Sequence, residues 1–140
     1  MFIKQLSIFL ENKEGRLDKV LKTLADGNIN LLSASLADTS EFGVLRLLAD
    51  DADKAKSILK QAGFTARVDE IIAVVVPDDV GSLAKVIGMI NAADINISYI
   101  YGLSIDGEGA PIALKTSDNA KAEALLNEAG VKTLGMDDIK

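Results

Sequence analysis

Two short segments carry most of the chemistry this chain can offer. They read ENKEGRL at 11–17 and PDDVGSL at 77–83. Each places a glycine, Gly15 or Gly81, where a helix is about to begin. Lacking a Cβ, glycine lets the backbone approach a ligand closely. The first N–H groups of a helix have no partner inside it and stand at the positive end of its dipole. Such a place holds a carboxylate or phosphate without a basic side chain. The plainer use of the same glycine is to permit a tight turn. A second shared feature is an asparagine, Asn30 in NIN and Asn96 in DINI. Its amide both donates and accepts, so it can read the amine and the carboxylate of a zwitterion. Its plainer use is as a turn residue between helix and strand.

Much other chemistry is missing. The 140 residues include no Cys and no His. This removes disulfides, thiolate metal sites, Cys nucleophiles, Ser-His-Asp hydrolases and HExxH metalloproteases. Trp is absent and aromatics are 4%, too few for a base-stacking platform. A net charge of −6 disfavours phosphate backbones and anionic membrane surfaces, so neither nucleic acid nor membrane is expected as a partner. No apolar run approaches the ~18 residues of a bilayer span, and the N-terminal residues lack a signal-peptide core. A cytoplasmic location is the resulting expectation. The hydrophobic share of 49% supports a real core.

The two segments belong to an internal repeat. Shifted by 66, positions 15–31 match 81–97 at Gly15, Leu17, Lys19, Val20, Ile29 and Asn30, where chance would give about one identity. After a one-residue insertion, Leu47, Asp51, Lys54, Ala55, Leu59, Ala62 and Gly63 recur at a shift of 67.

Each copy reads as strand, helix, strand, strand, helix, strand. IKQLSIFL (3–10) and IIAVVV (71–76) are strand-like, the second apolar enough to be buried on both faces. Leu17, Val20, Leu21 and Leu24 form a helical stripe, repeated by Leu83, Val86, Ile87 and Ile90. Gly27 is the expected helix stop in the first copy. Strands follow at 29–37 and 42–49, with DTSE between them, and at 95–105 and 110–116, with the hairpin signal DGEG between them. Asp51 and Asp118 should cap second helices, Gly63 and Gly130 should end them, and short strands should close the copies at 64–68 and 131–135.

This order is the split βαβ, ferredoxin-like arrangement. The expected fold class is therefore α+β, with two βαββαβ units packed side by side and an antiparallel sheet with helices on one face. The expected domains are 1–68 and 69–140. Several uses of such a fold are disfavoured here. Metal chaperones need CxxC, RNA-recognition modules need aromatic strands, and acylphosphatase-type catalysis wants an Arg in a phosphate-cradling loop after the first strand, near which Arg16 stands in one copy and Ser82 in the other.

The series of strand, D/N-x-x-G loop, L-x-x-V/I-x-x-x-L helix and (N/D)-I-N-(I/L) strand opening resembles the ACT domain, a regulatory amino-acid-binding module. The resemblance covers nearly the whole chain as two tandem copies. It implies eight strands joined in one sheet, with ligands at the seam between copies. There the loop before the first helix of one copy faces the second strand of the other. By position, Asn12 and Asp78 match the family's loop Asn or Asp, Gly15 and Gly81 its glycine, and Asn30 and Asn96 its strand-2 asparagine. Glu14 and Val80 depart from it, standing where Pro is common, and Pro77 falls earlier than usual. The candidate ligand-binding set is Asn12, Lys13, Glu14, Gly15, Arg16, Leu17, Asn30 and Leu31. In the second copy it is Asp78, Asp79, Val80, Gly81, Ser82, Leu83, Asn96 and Ile97.

The resemblance implies a non-catalytic sensor, with a free amino acid as ligand and a separate metabolic enzyme as partner. It implies no cofactor or metal and leaves room for a homodimer. The alternative is a ligand-free interaction or assembly module. Acids at Glu11, Glu14, Asp78 and Asp79 favour a neutral or basic ligand side chain, although they also suit an exposed turn.

Overall fold

The computed structural model describes residues 2–38 and 41–139. Thr39 and Ser40, inside the expected DTSE turn, lie outside the described residues. The chain divides into two compact units. One holds Lys4–Asp69 and the other Glu70–Lys140 with Met1–Ile3.

The first unit runs β1 (Ile3–Glu11), α1 (Arg16–Asp26), β2 (Leu31–Asp38), β3 (Phe42–Ala49), α2 (Ala52–Gln61) and the opening half of β4 (Thr65–Val76). Its strands lie in the order β2-β3-β1-β4. β1 and β3 are antiparallel, with Leu6 opposite Leu47 and Ile8 opposite Leu45. These side chains share one face, as the two-residue strand period requires. They meet Val20 and Leu24 of α1 and Ala55 and Leu59 of α2 in one core.

The second unit repeats this with the closing half of β4, α3 (Ser82–Ala92), β5 (Ile97–Gly102), β6 (Ala110–Thr116), α4 (Asn119–Glu128) and β7 (Lys132–Leu134). The order is β5-β6-β4, and β7 also pairs with β4. Ile72, Val74, Ile112 and Leu114 meet Val86, Ile90, Ala122 and Leu126 in a second core. The fold class is therefore as expected.

Several boundaries differ from expectation. The strands expected at 64–68 and 71–76 are one continuous strand, β4, so the described residues form seven strands rather than eight. Nothing in VDE (68–70) forces a turn, since these residues include no Gly or Pro to interrupt an extended run. The strand expected at 95–105 spans only Ile97–Gly102. Beyond Gly102, the Leu103 N–H still donates to the Pro111 carbonyl at 2.9 Å, but Pro111 has no N–H to return. The four-residue helix α5 (Met136–Ile139) was not expected.

Helix ends also differ. Gly27 has an ordinary φ of −82°, and the left-handed residue that stops α1 is Asn28, at φ 59°. Asp94 does the same after α3 at φ 58°. In each case the next isoleucine bonds back to the helix, Ile29 to Leu24 at 3.0 Å and Ile95 to Ile90 at 3.3 Å. That closure draws Ile29 and Ile95 into the cores, so the strands begin two residues later than expected, at Leu31 and Ile97. The caps Asp51 and Asp118 are as expected, each accepting an N–H at 3.0 Å, from Lys54 and Lys121. Gly63 and Gly130 are left-handed at φ 88° and 80° and end α2 and α4.

Candidate functional site

The first loop leaves β1 with the Asn12 N–H donating to the Glu41 carbonyl at 2.9 Å. Lys13 Nζ pairs with Glu11 at 2.9 Å. That hydrogen bond, with the nearby Lys13 and Arg16 charges, holds the Glu11 carboxyl below the usual carboxylate range. Gly15, at φ 81°, occupies the N-cap of α1, and no side chain caps the helix. The Arg16 N–H reaches back to the Lys13 carbonyl at 3.4 Å.

The second loop follows the same path. Gly81 is the N-cap of α3 at φ 85°, again with no side-chain cap. The Ser82 N–H donates to the Asp79 carbonyl at 3.2 Å. Asp78, Asp79 and Val80 are exposed, and Val80 stands fully in solvent at the tip. Leu17 and Leu83, expected in the helical stripes, are exposed at 36% and 43% because the first helical turn projects beyond each core.

Uncapped starts at α1 and α3 contrast with the aspartate caps of α2 and α4. A Cβ on Gly15 or Gly81 would meet no protein atom within 4 Å. The positive φ alone therefore favours glycine, and the open space above it leaves room for a ligand.

The asparagines lie elsewhere. α1 is 11 residues long, about 16 Å. Asn30 follows its far end while Asn12 and Gly15 precede its start. The Asn30 N–H bonds to Asp50 Oδ1 at 3.1 Å, and its carbonyl accepts from the Asp50 N–H at 3.1 Å. Asn96 is tied to Ser117 in the same way at 3.0 and 2.9 Å. These bonds use the backbone, and both residues are exposed. Leu31 and Ile97 are half-buried against their cores. One unit thus gathers its loop residues but cannot bring its own asparagine to them.

Beside the second loop lies a feature that the sequence does not announce, an open cleft of about 870 Å³. Asp78, Asp79 and Ser82 line it together with Lys85, Met89 and Glu108, and Val131 and Lys132 complete the wall. The first unit fills the matching position. Phe64, the counterpart of Val131, is 6% exposed. The Arg16 guanidinium lies 5.4 Å from its ring centre and Lys19 Nζ 5.9 Å. The signal was present in the repeat as the mismatches Phe64/Val131 and Arg16/Ser82. Among the described residues no cluster of Asp and Glu could hold a metal, and no helix is long and apolar enough to cross a membrane.

Fold and loops together define a pair of βαββαβ modules, each with a glycine-led, uncapped first helix. The chain belongs to the ACT domain pair family, which matches residues 1–137. Among solved structures, protein BT0572 from Bacteroides thetaiotaomicron is 37% identical, with 99% of this chain and 96% of that chain covered and a TM-score of 0.91. The ligand-free regulatory subunit of aspartate kinase from Thermus thermophilus is 18% identical over 91% of this chain and 90% of that one, with a TM-score of 0.63. The aspartokinase alpha and beta subunits give 18%, 92%, 96% and 0.60 in the same order. At that identity the last two show a shared fold. No curated protein matches the sequence.

Proposed function

We propose that the protein is a non-catalytic sensor that binds a free amino acid at its glycine-led loops and regulates a separate metabolic enzyme. The observation that carries this is the contrast among the four long helices. In α2 and α4 an aspartate accepts one of the free N–H groups, whereas α1 and α3 begin at left-handed glycines with no side-chain cap. An α-carboxylate suits such a start. The absence of His and Cys from the sequence agrees with a non-catalytic role. One protein that shares the fold, from Thermus thermophilus, is a regulatory subunit of aspartate kinase, which lends support to an enzyme partner.

A ligand-free assembly module is the second reading, favoured by the exposed apolar side chains of Val80 on the second loop and of Leu17 and Leu83 in the first turns of α1 and α3. Thermal melting with each of the twenty amino acids separates the two. A sensor gains stability with one or a few of them, about 2.7 kcal/mol at ~100 times Kd. An assembly module melts at one temperature in all twenty.

A further inference from the structure

The two loops treat their charges differently. In the first, Glu11 pairs with Lys13, and Arg16 lies over Phe64 with its Nε buried and unbonded. In the second, Asp79 replaces Lys13 and Ser82 replaces Arg16, so the loop keeps two carboxylates and has no cation. Among the described residues the ion pairs lie elsewhere, leaving Asp78, Asp79 and Lys85 without one. Unpaired charges of both signs thus border one cleft.

The first unit shows what such a cleft accommodates. There the chain fills the position with an aromatic ring beneath a guanidinium, with Lys19 alongside. The second unit retains the lysine as Lys85 and lacks the ring and the guanidinium. An occupant that replaces both has an apolar body and a cationic head. With Lys85 free, it also has a place for an anion. A volume near 870 Å³ is within the range of small-molecule sites.

We propose that this cleft binds a free α-amino acid with a large apolar side chain. The side chain lies against Val86, Met89 and Val131, the ammonium faces Asp78 and Asp79, and the carboxylate faces Lys85 and the uncapped start of α3 at Ser82. The proposal rests on the amino-acid-binding reading above and narrows it to one unit and one ligand class.

Calorimetric titration of the full chain with L-phenylalanine, L-leucine, L-aspartate and phenethylamine tests it. L-phenylalanine or L-leucine should bind and L-aspartate should not, and phenethylamine, which has no carboxylate for Lys85, should bind more weakly. Ser82→Arg and Val131→Phe, which copy the first unit into the second, should each weaken binding by roughly tenfold or more. Ser82→Arg changes a half-buried residue at the cleft mouth, so it remains informative if Val131→Phe fails to fold. Undiminished binding in Ser82→Arg, or binding of L-aspartate alone, overturns the cleft assignment and leaves amino-acid sensing standing. No binding by any of the twenty amino acids overturns both.

Discussion

At matching positions the units place Phe64 and Val131, Arg16 and Ser82, Lys13 and Asp79, on backbones that bend alike at Gly15 and Gly81. The shared residues set the turn, the helix stripe and the caps. The unshared ones decide whether the space behind the loop is filled by the chain itself or left open. A repeat can therefore keep its fold through its matches and change its chemistry through a few mismatches.

The two units should differ most in stability. Phe64→Ala should cost about 3–5 kcal/mol, because it empties a packed position in the first core. Val131→Ala, at a half-buried site beside open space, should cost about 1 kcal/mol. Urea unfolding measures both, and equal losses would mean that the two positions are filled alike. Next is binding of the amino acid that stabilises the protein. Asp78→Ala should weaken it by about 1.5–3 kcal/mol, the scale of a hydrogen bond to a charged group. Asn12→Ala should weaken it less, and the reverse order in calorimetry would move the ligand to the first unit.

Gly15→Ala and Gly81→Ala should each destabilise by about 1–2 kcal/mol, since both glycines are left-handed. Asparagine at either position should be milder, as Asn28 already adopts φ 59° in this chain. Chemical denaturation of all four variants tests this, and a stabilised alanine variant would contradict the angles. The smallest effect is electrostatic. Glu11 should titrate below the ordinary glutamate value in the intact protein and return towards it in Lys13→Met, as followed by NMR of its carboxyl carbon. Because its folded value is depressed, its contribution to stability is present above the ordinary glutamate range and is lost as pH falls through the lowered value.

The helices, their aspartate caps and the terminal glycines Gly63 and Gly130 were legible from sequence, because periodicity and capping are local signals. The continuity of β4 was not, since adjoining apolar runs look the same whether or not a turn divides them. Gly27 misled because any glycine near a helix end attracts the left-handed role, whereas Asn28 and Asp94 fill it here and matched each other at the repeat shift. The candidate loops were visible as loops. Their separation from Asn30 and Asn96 followed only from helix length, and the cleft required knowing that Phe64 fills the matching position in the first unit.

On the proposed reading the second unit, with its open cleft, takes the ligand. An amide NMR titration of the intact chain with the stabilising amino acid tests this most directly. Shift changes should concentrate in residues 78–89 and 130–132, with much smaller changes in 12–23 and 63–65. Equal changes in both sets, or changes confined to the first, would contradict it.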